Sequence, residues 1–293
     1  MKILVFGKNG QLAQALAGRA GAELAVSAFG RNECNLMQAD AIASAIAHEA
    51  PGAVINAAAY TAVDKAESEF DAAVALNATA PAVMAIACKS AGIPLVHVST
   101  DYVFDGLKPS PYVETDPLAP QSAYGRSKAM GEEAVLKTGA RAAIVRTSWV
   151  YSAHGANFVK TMLRLAATRD ELGVVADQLG RPTWASDLAD ACIASARALG
   201  AGRSGAAGVF HYSGANDATW ADFAEAIFAE AAKRGMPSAR VKPITTADYP
   251  TPAKRPANSR LDTTKIERAL GIRARPWREA LALCMDEIAA QPS

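Results

Sequence analysis

Residues 2–13 read Lys2-Ile3-Leu4-Val5-Phe6-Gly7-Lys8-Asn9-Gly10-Gln11-Leu12-Ala13, and this stretch decides the fold. Its first five residues form a short apolar run typical of a buried strand, and a helix is predicted from Gln11 to Arg19. Between strand and helix, glycines let the backbone turn sharply and approach a diphosphate closely. The free N–H groups at the helix start would face the same anion. The stretch therefore predicts that a dinucleotide is bound by Gly7, Gly10, Gln11 and Leu12.

Strands and helices continue to alternate through the first half of the chain. Further strands are predicted over 24–29, 53–56, 94–99 and 142–146, and further helices over 39–50, 70–91 (bent near Pro81) and 122–137. Such alternation is typical of an α/β protein with a doubly wound parallel sheet. Because right-handed crossovers place all strand C-termini at one edge, ligands are expected along that edge.

The pattern becomes less regular after Trp149. Helices are predicted over 157–169, 220–234 and 277–290 and a strand over 209–213, whereas 243–256 is too rich in proline for a core sheet. We therefore predict a Rossmann-type dinucleotide-binding domain over residues 1–148, to which segments 157–170 and 205–215 return. A smaller α/β C-terminal lobe, mainly residues 149–293, is expected to bind the substrate.

Composition narrows the class of protein. The 293 residues are 51% hydrophobic and 20% charged, which is typical of a globular enzyme, and 30 basic residues nearly cancel 29 acidic ones. This balance argues against a nucleic-acid partner. No signal peptide and no run of ~20 apolar residues is apparent, so we expect no membrane association and a cytoplasmic location. The scattered cysteines form no zinc-site pattern and are predicted to be buried thiols; no metal site is predicted.

The end of the second predicted strand is where a dinucleotide-binding domain reads the ribose of its cofactor. The chain has Gly30-Arg31-Asn32-Glu33 at this point. An arginine favours the 2′-phosphate of NADPH, whereas an acid favours the 2′-hydroxyl of NADH. Arg31 therefore predicts NADPH, and the nearby Glu33 leaves NADH open.

Tyr124 and Lys128 are four residues apart on a predicted helix, so they share a face. A nearby ammonium group lowers the pKa of a phenol from its usual ~10, which would suit Tyr124 to proton transfer. The fourth predicted strand ends in Ser99-Thr100-Asp101, at the ligand edge. We predict that Thr100 hydrogen-bonds a substrate oxygen beside Tyr124, and that Asp101 tunes the site or binds substrate.

Longer runs extend the pattern along nearly the whole chain. They are 56–68, 99–104, 124–128, 146–151, Asn157 with Phe158, 161–163, 177–183 and 255–261. In order and spacing, they resemble the extended short-chain dehydrogenase/reductase family. Within it, the chain is most similar to members that reduce the C4 ketone of dTDP-4-dehydro-L-rhamnose to dTDP-L-rhamnose, the last step of dTDP-rhamnose biosynthesis.

The resemblance implies a role for each matching residue. Hydride would pass from the nicotinamide to the ketone, Tyr124 would protonate the alkoxide, and Lys128 would hold the nicotinamide ribose. Thr100 would help to polarise the ketone. The implied cofactor contacts also include Ala59, Tyr60 and Thr61, and the implied substrate contacts are Thr100, Asp101, Tyr124, Trp149, Asn157 and Arg255.

Some family members are associated with magnesium near subunit contacts. The corresponding part of the first helix is Gln14-Ala15-Leu16, which has no carboxylate, so a Mg²⁺-bridged dimer is not expected, while a homodimer of another kind is left open. Two alternatives remain at this point. One is another nucleotide-sugar epimerase, reductase or dehydratase of the same fold, although a dehydratase typically has Asp-Glu where this chain has Asp101-Tyr102. The other is a non-catalytic nucleotide-binding regulatory subunit.

Overall fold

The structure, a computed structural model, describes residues 1–291. Its strands are β1 (Lys2–Phe6), β2 (Ala25–Phe29), β3 (Ala53–Asn56), β4 (Leu95–Thr100), β5 (Ala142–Thr147), β6 (Val150–Tyr151), β7 (Glu171–Val175), β8 (Leu179–Gly180), β9 (Thr183–Trp184), β10 (Gly208–His211), β11 (Ala218–Thr219) and β12 (Arg240–Ile244). Its α-helices are α1 (Gln11–Ala17), α2 (Ala39–Glu49), α3 (Phe70–Val74), α4 (Ala80–Ser90), α5 (Ala123–Lys137), α6 (Phe158–Ala166), α7 (Ala185–Gly200), α8 (Trp220–Lys233), α9 (Thr264–Leu270) and α10 (Trp277–Ala289).

Six parallel strands form the central sheet, in the order β2-β1-β3-β4-β5-β10. The strand order reverses between β1 and β3, because β2 is added on one side of β1 and the later strands are added in sequence on the other side. In open sheets of this kind, ligands bind beyond the carboxyl ends of the strands at such a reversal. The predicted Rossmann-type doubly wound parallel sheet is confirmed.

Helices cover both faces of this sheet. On one face, Leu16 of α1 and Leu188 of α7 pack with Val5 of β1. On the other face, Ile42 of α2 and Met84 of α4 pack with strand residues that point away from α1. The strands are therefore buried on both sides, which explains why they read as continuous apolar runs in the sequence.

A second hydrophobic core lies in the C-terminal lobe. Phe223 of α8 is fully buried there and contacts the rings of Tyr151, Phe158 and Trp277. Strand β12 pairs with β7 in a separate two-stranded sheet, so the proline-rich stretch stays outside the central sheet, as predicted. All four cysteines are buried free thiols, which confirms that prediction as well.

The packing differs from the predicted domain division in two places. Helix α6, inside the segment 157–170, buries Val159 and Met162 in the C-terminal core and not against the central sheet. Helix α7, which the sequence reasoning missed, lies in the range assigned to the substrate lobe but buries Cys192 against the sheet. The segment 205–215 does return to the sheet, as β10 beside β5. Long-range packing of apolar faces, which local periodicity does not encode, decides both differences.

Phe70 to Ser90 form one continuous helical segment, in which a π-helical turn, Ala75–Thr79, lies just before Pro81. Proline cannot donate a helical hydrogen bond and its ring crowds the carbonyl four residues earlier, so this wide turn is the form that the predicted bend takes. Contrary to the sequence expectation, this one segment of the described chain is long and apolar enough to cross a membrane by length and composition. Core helices pass the same test, and Met84 and Cys88 of this segment pack against the central sheet.

Candidate active site

A cleft of about 510 Å³ lies at the carboxyl edge of the central sheet, where the strand order reverses. It is lined by the loops after β1, β3, β4 and β5, by the start of α5 and by Leu188 of α7. Ten of the predicted site residues line it together: Gly10, Gln11, Leu12, Ala59, Thr61, Thr100, Asp101, Tyr124, Lys128 and Trp149. The sequence prediction of a shared ligand edge therefore agrees with the structure.

The loop after β1 passes very close to the loop after β3. Gly7 has a φ of +106°, and a Cβ atom there would lie 2.8 Å from the Ala58 backbone nitrogen, so only glycine fits. Gly7 and Arg31 line a smaller depression that adjoins this loop, together with Phe29 and Leu36. The position and apolar walls of this depression fit the adenosine half of a dinucleotide.

Some buried polar atoms in the cleft have no hydrogen-bond partner in the described part of the chain. Among residues 1–291, Gln11 Oε1 and Thr147 Oγ1 are buried, and neither atom forms a hydrogen bond. Buried polar atoms are nearly always paired in folded proteins, so both indicate a polar ligand in this cleft. Together with the close approach at Gly7, they fit a dinucleotide whose diphosphate lies over the start of α1.

The carboxylate of Glu33, two residues after Arg31, already has partners within the protein. Its carboxylate forms an ion pair with Lys8 and accepts the Gly30 N–H at 2.9 Å. The Lys8 ammonium group, followed by the Gly30 N–H, lowers the pKa of Glu33. Arg31 remains exposed at the rim of the depression, where it could meet a phosphate.

Tyr124 lies in the first turn of α5, where the Ser122 hydroxyl caps the helix by accepting the Gly125 N–H at 3.1 Å. Its ring packs edge-on against Tyr102, with centroids 5.6 Å apart, and its hydroxyl lies near the Thr100 side chain. Burial raises the pKa of Tyr124 above its ordinary value. A neutral phenol is the form that a proton donor requires.

Lys128 is buried one turn further along α5. Its Nζ atom donates to the Val98 carbonyl oxygen at 2.6 Å, and burial lowers its pKa to about 8 although Glu132 acts in the opposite direction. The expectation that Lys128 lowers the pKa of Tyr124 is wrong for this arrangement, because burial dominates at the phenol and the ammonium group is turned to strand β4.

A buried ion pair fixes α5 against the sheet below the cleft. Arg146 of β5 makes a forked contact with Glu132, with its Nη2 atom 2.6 Å from Oε2, and both side chains are almost fully buried. Ser99 donates to the same carboxylate at 2.5 Å. The ends of β4 and β5 are thereby held at a fixed distance from the helix that carries Tyr124 and Lys128.

The loop after β3 is tied to α5 by one amide that the sequence reasoning missed. Asn77, in the π-helical turn, accepts the Tyr60 N–H at 2.8 Å and donates to the Tyr60 carbonyl oxygen and the Ser127 hydroxyl. Every hydrogen-bonding position of the fully buried amide group except one lone pair is used. The bend expected near Pro81 was the only sequence signal for this region, and only the structure shows that it is a π-helical turn, a form that is frequent near functional sites.

Trp149 forms part of the cleft wall and stacks on Trp220 of α8. Trp220 Nε1 donates to Gln178 Oε1 at 3.2 Å, and Gln178 donates to the Thr246 hydroxyl. Neither Trp220 nor the lining residues Ser148 and Leu188 were singled out from the sequence. Trp220 opens a predicted helix and gave no signal of its own, since its partner is remote in the chain.

Besides Gly7 and Arg31, which line the smaller depression, three predicted site residues do not line the cleft. Tyr60 donates its hydroxyl to Glu69 at 2.5 Å, and Asn157 caps α6 while its amide donates to the Ser152 carbonyl oxygen. Arg255 pairs with Asp64 at 2.6 Å and lines a small neighbouring depression. Their predicted ligand contacts stay predictions. Within residues 1–291, no three His, Cys, Asp or Glu side chains are grouped to hold a metal ion.

Comparison with known proteins gives one consistent result. The family model of the RmlD substrate binding domain matches residues 1–290. The chain is 48% identical over 281 residues to the dTDP-4-dehydrorhamnose reductase of Sinorhizobium fredii, covering 96% of this chain and 95% of that one.

Comparison with solved structures points to the same group of proteins. A dTDP-4-dehydrorhamnose reductase from Clostridium acetobutylicum superposes with a TM-score of 0.91 at 39% identity, covering 98% of this chain and 99% of that one. The same enzyme from Bacillus anthracis, solved in complex with NADP, gives a TM-score of 0.90 at 34% identity and the same coverage. The model match and the full-length identity leave one assignment: this chain belongs to the RmlD substrate binding domain family.

Proposed function

We propose that this protein is an NADPH-dependent reductase that converts the C4 ketone of dTDP-4-dehydro-L-rhamnose to the alcohol of dTDP-L-rhamnose. The observation that carries the proposal is the meeting of Thr100, Tyr124 and Lys128 in one cleft beside a dinucleotide-binding loop. Relatives of similar length that are named dTDP-4-dehydrorhamnose reductases support it. NADPH is favoured by exposed Arg31 and by the NADP complex of the Bacillus anthracis relative.

The chain's residues suit the two ends of this reaction. The nicotinamide cofactor, when bound, supplies the hydride. Tyr124, kept neutral by burial, donates its proton to the oxygen that becomes the C4 hydroxyl. Lys128 lies on the same side of α5, where it can hold the nicotinamide ribose. Trp149 lines the same cleft, where its indole ring can contact the sugar.

The test is a turnover assay with the purified protein, NADPH and dTDP-4-dehydro-L-rhamnose, in which loss of the reduced nicotinamide absorbance and formation of the alcohol are followed together. We expect Tyr124→Phe to lower kcat by ~10²–10⁴-fold, the usual contribution of a general acid. The matched control is Tyr249→Phe, which removes a phenol hydroxyl from a 62% exposed side chain. Its kcat should equal that of the parent protein.

Two outcomes would contradict the proposal. Substrate epimerisation without net NADPH oxidation would assign the chain to an epimerase of the same fold. Tight nucleotide binding with no turnover at all would assign it a non-catalytic role.

A further inference from the structure

Asp101 is an unusual neighbour for a carbonyl-reducing site. It directly follows the predicted ketone-binding Thr100, lines the cleft and is only 4% exposed. One of its oxygens, Oδ2, is buried with no well-formed hydrogen bond to any residue of the described chain. An ionised carboxylate left in this state would be costly, because burial penalises the charged form.

The hydroxyl of Thr100 has only one proton and two lone pairs to distribute. Its Oγ1 atom already accepts the Tyr102 N–H at 3.3 Å, lies 3.0 Å from Asp101 Oδ1 and is close to the Tyr124 phenol. One lone pair and one proton therefore remain for Asp101 and for the side of the cleft that holds Tyr124.

The protonation state of Asp101 decides how the remaining lone pair and the proton of Thr100 are used. If Asp101 is a carboxylate, it can only accept, so the Thr100 proton must point to Asp101 and away from the substrate. If Asp101 is protonated, it donates to the remaining lone pair of Thr100, and the Thr100 proton is free to point into the cleft. Only the second arrangement lets Thr100 polarise a ketone.

We propose that Asp101 is protonated in the active enzyme and acts as a positioning residue. It makes Thr100 a hydrogen-bond donor to the ketone oxygen beside Tyr124. This inference rests on the proposed reductase function.

The surroundings of Asp101 support the neutral form. Burial raises the pKa of Asp101 to about 6, against the smaller lowering effect of the nearby Ser259 and Thr100 hydroxyls and backbone N–H groups. The titratable groups that face it are Tyr124 from α5 and Tyr102 from its own turn, and a charge on Asp101 raises the pKa of both phenols. Arg255 and Asp64 act on Tyr102 with opposite signs. A substrate that displaces water from the cleft would raise the pKa of Asp101 further.

The experiment is the pH profile of kcat for the full-length chain and three variants. In the parent, kcat should fall as Asp101 ionises, at or above about pH 6. In Asp101→Asn, the amide can donate to Thr100 at every pH, so kcat should stay within about tenfold of the parent maximum and this inflection should vanish. Ser259→Ala, which removes a nearby hydroxyl that favours the carboxylate, should move the inflection to higher pH. Asp71→Asn, an exposed exchange in α3, is the matched control and should keep the parent profile.

A folded Asp101→Asn protein without activity would overturn the inference, because the carboxylate itself would then be required. An unchanged inflection in Asp101→Asn or in Ser259→Ala would overturn it as well. An infrared difference spectrum between low and high pH separates this result from failure of the reductase proposal, because it needs no turnover. In the parent, the carbonyl band of a protonated carboxyl group should titrate at about pH 6, and in Asp101→Asn this band should be missing. The same band in both proteins would contradict the assignment.

Discussion

The indole rings of Trp149 and Trp220 stack face to face, with centroids 3.6 Å apart and planes within 12° of parallel. Trp149 adopts this position with a φ of +50°, a conformation that costs a residue with a Cβ about 1–3 kcal/mol. Strained backbone persists where the surrounding structure imposes it. Trp149 lines the cleft together with Tyr124, and Trp220 supports its indole ring from behind.

Gly180 makes room for the Trp149 ring. A Cβ atom at position 180 would lie 2.3 Å from the Trp149 ring, so Gly180→Ala should displace the indole. We expect KM for the sugar nucleotide to rise by about 3–10-fold, which corresponds to loss of one aromatic contact of 0.5–1.5 kcal/mol. Steady-state kinetics and tryptophan fluorescence would measure the two effects.

The matched control is Gly200→Ala near the end of α7, where an added Cβ meets no described atom within 4 Å. This variant should keep the parent KM and gain up to about 1 kcal/mol in free energy of unfolding. An unchanged KM in Gly180→Ala would mean that Trp149 does not face the sugar.

Glu132 stabilises the fold beneath the cleft. Glu132→Gln leaves the buried Arg146 guanidinium without its counter-ion, and breaking such a pair costs about 3–5 kcal/mol. Glu133→Gln, one residue along the same helix, removes only an exposed pair with Lys137 and should cost less than about 0.5 kcal/mol. Urea unfolding of both variants makes the comparison, and equal costs would contradict the structural role assigned to Glu132.

We expect the buried Lys128 to lower the free energy of unfolding, although the proposed activity requires this residue. Its pKa is lowered to about 8 by burial, so the folded chain binds this proton more weakly than the unfolded chain does. The charged form therefore costs stability below about pH 8, and this cost disappears as the pH rises from there towards the usual lysine value. Lys128→Met should raise the free energy of unfolding by about 1–3 kcal/mol near neutral pH while activity is lost.

The stability difference between Lys128→Met and the parent should narrow above about pH 8, when the parent lysine loses its proton. Lys137→Met, at an exposed position of the same helix, controls for the exchange and should show neither effect. A less stable Lys128→Met protein would show that the bond to Val98 outweighs the burial of the charge.

Arg31 should distinguish the two nicotinamide cofactors. Because its guanidinium is exposed at the depression expected to hold the adenosine half, Arg31→Ala should lower kcat/KM for NADPH by about tenfold, the equivalent of ~1.4 kcal/mol. The value for NADH, which has no 2′-phosphate, should stay within about twofold. Arg197→Ala, at an exposed position of α7, is the control. Equal losses with both cofactors would remove the case for Arg31 as a phosphate contact.

Local patterns in the sequence determined the architecture and the reacting groups. The alternation of apolar strands and amphipathic helices predicted the parallel sheet, because strand and helix periods are properties of neighbouring residues. The glycines after the first strand predicted the dinucleotide loop, and the spacing of Tyr124 and Lys128 placed them on one face of α5. Their agreement with the observed cleft follows from a general rule, that parallel strands present their C-termini at one edge.

Only the tertiary structure decided the state of these groups. The bond from Lys128 to Val98, the burial that keeps Tyr124 neutral and the unpaired Asp101 oxygen all depend on how α5 packs against β4. The stacking of Trp149 on Trp220 depends on a contact between the edge of the sheet and the C-terminal lobe. Such contacts join residues far apart in the chain, and a pKa depends on the whole surroundings of a group. The sequence by itself therefore determined which residues can react, and the folded chain determined their protonation and their neighbours.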